Sequence, residues 1–266
     1  MTLSIKRLVV FGCSYSTGEE LLYHELGSDF EKLRHDPRLF FNELEKNQIA
    51  VDKLQDIKRR QLELAWPQKL ANKLNVECMN FAESGNSMQK MLWQFLDQHN
   101  KGNILKSDLI LFAQTKAERS VFFKDIPSSF QIASILDNKK DSIIGISKTG
   151  GADVVVDPAT DQSLLNWFND DRILWDFISV LQILKQLKST HNLFVVPAMD
   201  ISTNWQLKDY NNKLFKNLLD SLIDSDLYLA TENMDTFRTG PEDNLPWGHP
   251  AEAVHNRFAE YLYGRI

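Results

Sequence analysis

The chain is poor in cysteine, lacks a long apolar run and carries no excess of basic residues. Its two cysteines, Cys13 and Cys78, are too few for a disulfide framework and favour a reduced, cytoplasmic protein. No apolar stretch approaches the ~18 residues of a membrane span, and the amino-terminal segment lacks a signal-peptide pattern. The net charge of −6 argues against a nucleic-acid-binding surface.

The chain also lacks internal repeats, low-complexity linkers and a metal-binding pattern. His24, His35, His99 and His191 lie far apart, without the spacing of metal ligands, so we expect neither a metal nor another cofactor. Hydrophobic residues make up 43% of the 266 residues, which is enough for one sizeable core. We therefore expect one domain, 1–266.

Apolar runs alternate with helical patterns along the chain. The patterns predict strands at 7–12, 76–81, 108–113, 193–198 and 226–230, and helices at about 38–64, 67–74, 171–188, 209–223 and 250–263. Ser87 is also predicted to cap a helix that begins at Met88. Strands separated by helices indicate an α/β fold, a three-layer sandwich with a mainly parallel sheet. Ligands bind beyond the carboxyl ends of such strands.

Two stretches, at about 19–65 and 118–165, do not belong to this alternation of strands and helices and are predicted to be insertions. The second contains two β-rich runs on either side of Gly150 and Gly151, which predicts a hairpin. Both insertions are expected over the carboxyl edge of the sheet. There they either shape a substrate pocket or partner surface, or form plain surface excursions.

The segment 7–18, RLVVFGCSYSTG, carries the first chemical indication. Its apolar strand ends at Gly12 and Cys13, which places Ser14 on a tight turn. The strand end fixes the position of the serine, and the turn leaves backbone N–H groups free to bind an anion. Ser14 is therefore a candidate nucleophile, and an ordinary turn serine is the alternative.

The far end of the chain supplies a candidate base. His249 stands in a Gly/Pro loop just before the predicted last helix, with Pro250 as an acceptable first-turn residue. A histidine held there is well placed as a general base, and a capping or surface histidine is the alternative. His255 is expected to face solvent or to pack locally.

The segments around Ser14 and His249 together resemble the first and last sequence motifs, or blocks, of the SGNH (GDSL-like) hydrolases. FGCSYSTG and GHPAEAVH are most similar to the divergent members found in bacteriophages and bacteria. Residues 80–88, NFAESGNSM, resemble the second block, whose glycine maps onto Gly85. In the third block, Gln114 or Thr115 stands where the family has an asparagine. The resemblance implies a flavodoxin-like sandwich.

The chain departs from the family pattern at two further positions. Cys13 precedes the serine where the family has an aspartate, and Pro246 stands three residues before His249 where the family has its acid. Asp243 lies six residues before His249. The resemblance therefore leaves three options: a Ser14–His249 dyad, a triad completed by Asp243, or a backbone carbonyl that orients the histidine.

The resemblance implies acyl transfer from an ester or acetyl group to water. Ser14 would attack the carbonyl carbon, His249 would carry the proton, and the oxyanion would be bound by Ser14, Gly85 and Gln114. We expect a small-molecule or carbohydrate ester as substrate. Candidates for lining the substrate site are Asn86, Thr115 and Trp247.

Three other interpretations remain open. An O-acyltransferase would use the Ser14–His249 pair and exclude water, whereas a binding or structural module would keep only the fold. Cys13 as the nucleophile is less favoured, because a continued strand pleat would point it to the face opposite Ser14.

Overall fold

A computed structural model describes residues 5–117, 119–123, 127–131, 145–148, 152–155, 170–199 and 213–266. In chain order the strands are β1 (Arg7–Phe11), β2 (Glu77–Asn80), β3 (Asp108–Ala113), β4 (Arg119–Phe123), β5 (Pro127–Gln131), β6 (Gly145–Lys148), β7 (Ala152–Val155) and β8 (Asn192–Val196). The helices are α1 (Ser14–Thr17), α2 (Ser28–Leu33), α3 (Pro37–Glu45), α4 (Gln48–Leu64), α5 (Trp66–Leu74), α6 (Met88–Asn100), α7 (Asp170–Leu187), α8 (Lys213–Ile223) and α9 (Glu252–Tyr263).

Four of these strands form a parallel sheet in the order β2-β1-β3-β8. Val10 in β1 pairs with Asn80 on one side and with Leu111 on the other. Counted along the chain, the four strands lie in the order 2-1-3-4, which is the order of flavodoxin-like sandwiches. The predicted α/β fold with a parallel sheet is therefore confirmed.

Strand β1 is buried on both of its faces. The side chains of Leu8, Val9, Val10 and Phe11 are all 0% exposed. Such a strand requires helices against each face of the sheet, which explains its continuous apolar sequence. The ring of Phe11 stacks on that of Phe112 at 5.2 Å. This packing fixes the strand end from which Ser14 follows.

Three predicted elements differ from the observed ones. The predicted helix 38–64 is divided into α3 and α4, because the Asn47 side chain accepts a hydrogen bond from the Ala50 N–H and caps a new helix. The predicted strand 226–230 is reduced to one parallel bridge between Tyr228 and Val195. Pro250 precedes α9, whose N-cap is Ala251.

The first insertion, 19–65, contains α2, α3 and α4 and an apolar cluster of its own. The buried members of this cluster are Tyr23, Phe30, Phe40, Leu44, Ala50, Leu54 and Ile57. Trp247, from the loop before α9, packs against the same cluster. The insertion therefore lies against the loop that holds His249.

The second insertion is described only in part. Strands β4 and β5 pair antiparallel, and so do β6 and β7. The β6–β7 pair flanks Gly150 and Gly151, as the predicted hairpin requires, although these two glycines lie outside the described residues. Across the described ranges, no helix has both the length and the apolar character needed to cross a membrane.

Candidate active site

Ser14 is the first residue of α1, directly beyond the carboxyl end of β1. The turn needs glycine at position 12, because a Cβ atom there would lie 2.4 Å from Ser16 Oγ and 3.1 Å from the Cβ of Ala113. The backbone N–H groups of Ser16 and Thr17 donate to the Cys13 carbonyl oxygen at 2.9 and 3.1 Å. Ser14 is buried, with 5% of its surface exposed. The strand end and this tight helical turn together fix its position.

The loop between β2 and α6 lies beside this turn. The Glu83 N–H donates to the Gly12 carbonyl oxygen at 3.1 Å, and Asn86 Nδ2 donates to the same oxygen at 3.1 Å. Gly85 has a φ of 71°, a left-handed conformation that favours glycine. Within the described part of the chain, the backbone N–H groups of Ser14 and Gly85 donate no hydrogen bond. Both donors are thus available for an oxyanion.

Contacts between their neighbours bring Ser14 and His249 to the same edge of the sheet. Tyr15, the residue after Ser14, has its ring centroid 6.0 Å from that of His249. Its hydroxyl oxygen lies 3.5 Å from the carbonyl oxygen of Gly248. Burial raises the pKa of Tyr15 far above its ordinary value, so the hydroxyl keeps its proton and donates to Asp235 at 3.1 Å. In the described residues, no hydrogen bond joins Ser14 Oγ to the imidazole.

His249 faces a carboxylate that belongs to the first insertion. Its Nδ1 atom lies 3.3 Å from Oε2 of Glu20, which is fully buried. The Trp247 N–H donates to the two oxygens of this carboxylate at 3.2 and 3.1 Å. Arg34 Nη2 lies 3.5 Å from Glu20 Oε1 and brings a positive charge to it.

Sequence reasoning did not identify Glu20. Its φ of 75° is uncommon for a residue other than glycine, and such strain is concentrated at functional sites. The only local indication in the sequence is the pair of adjacent acids, Glu19 and Glu20, directly after the Ser14 turn.

Asp243, the predicted acidic partner, has different contacts. Its Oδ2 accepts hydrogen bonds from the Thr239 N–H at 2.6 Å and the Thr239 hydroxyl at 3.0 Å, and from Arg257 Nη2. The guanidinium of Arg257 holds the pKa of the Asp243 carboxyl well below its usual range. Between Asp243 and His249 the described residues show no hydrogen bond. The structure therefore brings Glu20, and not Asp243, to the imidazole.

Gln114 and Thr115 stand at the carboxyl end of β3, as expected. The Gln114 side chain is engaged at both ends: Nε2 donates to the Met199 carbonyl oxygen at 3.1 Å, and Oε1 accepts from the Tyr228 hydroxyl at 2.5 Å. The Thr115 hydroxyl and the Cys13 thiol each lie 3.5 Å from Met199 Sδ. Because the amide of Gln114 already donates to Met199, its role in an oxyanion hole remains a prediction.

A cavity of about 120 Å³ opens beside these residues. Its lining consists of Gln114, Pro197, Met199, Ile223, Tyr228, Ala230, Thr231 and Asn233. The lining begins at the ends of β3 and β8, where ligands of parallel sheets bind. Met199 joins the cavity to the Ser14 turn through its contact with Cys13.

The other two predicted lining residues have structural contacts. Trp247 packs against Phe40 and Tyr23, with ring centroids 5.1 and 5.4 Å away. Asn86 is fully buried, and its Nδ2 also donates to Gln94 Oε1 at 2.9 Å. Their roles in substrate binding remain predictions.

No model of a known protein family matches the chain, and no curated protein matches it. Among solved structures, the chain is similar to a carbohydrate esterase whose active site displays divergent catalytic and non-catalytic binding functions. The similarity has a TM-score of 0.46 and 10% sequence identity, and it covers 97% of this chain and 67% of the other.

Proposed function

We propose that the protein is a serine hydrolase of esters, with Ser14 as the nucleophile and His249 as the general base. One observation carries the proposal: Tyr15 contacts both Gly248 and the His249 ring, so the first strand and the loop before the last helix meet at one site. A nucleophile and a base at the carboxyl edge of a parallel sheet are the two groups that acyl transfer requires.

The proposed reaction has two steps. In the first, Ser14 Oγ bonds to the carbonyl carbon, His249 Nε2 takes the hydroxyl proton, and the histidine passes this proton to the departing alcohol. In the second, water attacks the acyl-enzyme, and its proton returns through His249 to Ser14 Oγ as the carboxylic acid leaves. No cofactor takes part in either step.

Two backbone donors support stabilisation of the tetrahedral intermediate. The N–H groups of Ser14 and Gly85 donate to no acceptor within the described residues. In well-studied hydrolases a donor of this kind is worth ~3 kcal/mol of barrier reduction. The side chain of Gln114 is held by Met199 and Tyr228, which favours a role in shaping the site.

We propose a small-molecule or carbohydrate ester as the substrate. Hydrolysis of p-nitrophenyl acetate, butyrate and octanoate tests the activity and the preferred acyl length. The variants Ser14→Ala and His249→Ala are expected to lower kcat by about 10⁴-fold or more.

Two matched variants control this experiment. Ser16→Ala removes another buried hydroxyl from α1, and His191→Ala removes a histidine directly before β8. Both are expected to keep kcat within a few-fold of the wild type. Undiminished hydrolysis by Ser14→Ala would contradict the proposal.

A further inference from the structure

We infer that Glu20 is the acidic member of a Ser14–His249–Glu20 triad and acts as the positioning residue for His249. The inference rests on the proposed function and adds a residue that the family pattern does not place here. The acid of the triad would then come from the first insertion of the chain, and not from the loop before the last helix.

The nitrogen that Glu20 contacts is the one a triad requires. Glu20 Oε2 lies 3.3 Å from Nδ1 of His249, and no other carboxylate in the described residues contacts this ring. An acid that accepts from Nδ1–H keeps the lone pair on Nε2, which is the atom that takes the proton from the serine. The contact therefore selects the tautomer that is competent as a base.

The carboxylate of Glu20 also holds the backbone of the histidine loop. The N–H of Trp247, two residues before His249, donates to both of its oxygens at 3.2 and 3.1 Å. One buried group thus fixes the imidazole and the loop that carries it. Arg34, itself buried, brings a compensating positive charge within 3.5 Å of Glu20 Oε1.

The backbone brings Glu20 back towards the Ser14 turn. Gly18 ends α1 with a φ of 68°, and Glu20 follows with a φ of 75°. The second value is unfavourable for a glutamate and persists where the surrounding structure holds the residue in place. The contacts with Trp247, His249 and Arg34 supply that constraint.

The contacts of Glu20 with His249 and Trp247 give the first insertion a role in catalysis. Glu20 and Arg34 both belong to 19–65, and Trp247 packs on the apolar cluster of this segment. Pro246 stands at the family's usual acidic position, and the carboxylate of Asp243, six residues before His249, is bound by Arg257 and Thr239 instead. The insertion therefore replaces the contribution that the family takes from its last block.

The test is the imidazole tautomer of His249, measured by ¹⁵N NMR on histidine-labelled full-length protein at neutral pH. The wild type is expected to carry the proton on Nδ1. In Glu20→Gln the amide can donate to Nδ1, so we expect a change to the Nε2–H tautomer and a loss of kcat of about 10⁴-fold, with little change in KM.

Two further variants separate positioning from folding. Glu20→Asp keeps a carboxylate and is expected to retain the Nδ1–H tautomer and to recover part of kcat. Asp243→Asn is the matched control, because it alters another buried acid of the same region, and its tautomer and kcat should remain within a few-fold of the wild type.

The outcomes distinguish this inference from the proposed function. An active wild type with the proton on Nε2, or a tautomer change in Asp243→Asn alone, would overturn the role of Glu20 and leave the hydrolase intact. A wild type that carries the Nδ1–H tautomer but hydrolyses no ester would overturn the proposed function and the triad with it. The contact between Glu20 and His249 would then be structural only.

Discussion

Arg238 donates a hydrogen bond to the Tyr15 hydroxyl at 2.9 Å, although 223 residues separate the two in the sequence. The same Nη2 atom donates to the Gly248 carbonyl oxygen at 2.8 Å. One guanidinium therefore joins the residue after Ser14 to the residue before His249. This bridge links the two chain segments that carry the proposed nucleophile and the proposed base.

Removal of the bridge is expected to impair catalysis. Arg238→Met should lower kcat for ester hydrolysis by about 10- to 100-fold, because a displacement of about 1 Å is sufficient for such a loss. Steady-state kinetics measure the effect. The control is Arg265→Met, whose guanidinium lies 4.7 Å from the Tyr261 ring, beyond the end of α9. Equal activity of the two variants would show that the bridge does not position the loop.

Gly12→Ala tests the tight turn at Ser14. A Cβ atom there would lie 2.6 Å from the Cβ of Ser16, so α1 must shift or the variant must lose stability. We expect a loss of about 1–3 kcal/mol in the free energy of unfolding, together with reduced hydrolysis. Urea denaturation provides the measurement.

The control for this variant is Gly264→Ala, where the nearest atom to an added Cβ is 3.7 Å away. Its free energy of unfolding should stay within about 0.5 kcal/mol of the wild type. A Gly12→Ala variant as stable and as active as this control would refute the packing argument.

The burial of His255 is expected to make the free energy of unfolding depend on pH. Burial first, and then the charge of Lys69, lower the pKa of His255 to about 3. The folded chain holds it neutral, with Nδ1 accepting from the Trp66 N–H at 3.1 Å. In the unfolded chain it protonates near pH 6.5. Stability from this group is therefore complete above about pH 6.5 and is lost as the pH falls towards 3.

The expected slope is up to about 1.4 kcal/mol per pH unit in that window. Asparagine at position 255 can still accept the Trp66 hydrogen bond but does not titrate. The free energy of unfolding of His255→Asn should consequently fall less steeply with decreasing pH than that of the wild type. Identical slopes in urea denaturation across the window would rule out this contribution.

The parts of the fold that the sequence predicts are those that short-range patterns determine. The apolar run at Leu8–Phe11 requires a buried strand, and its polar end locates the Ser14 turn. The division between α3 and α4 also has a local cause, because Asn47 is a good helix cap. The run at 226–230 has strand composition but forms only one bridge, since sheet pairing depends on its neighbours.

The acid of the site could not be found in this way. Glu20 and His249 are 229 residues apart, and no spacing rule relates them. Asp243 is close to His249 along the chain, yet Arg257 and Thr239 hold its carboxylate. Which acid reaches the imidazole depends on how the first insertion packs on Trp247, and that packing is a property of the folded chain.

Chemical modification tests most directly whether Ser14 is an activated nucleophile. A fluorophosphonate probe reacts with such a serine, and mass spectrometry of the digested protein identifies the modified residue. We predict modification of Ser14 in the wild type and in Ser16→Ala, and its loss in Ser14→Ala and His249→Ala. A folded wild type that remains unmodified, or that is modified at another residue, would contradict the claim.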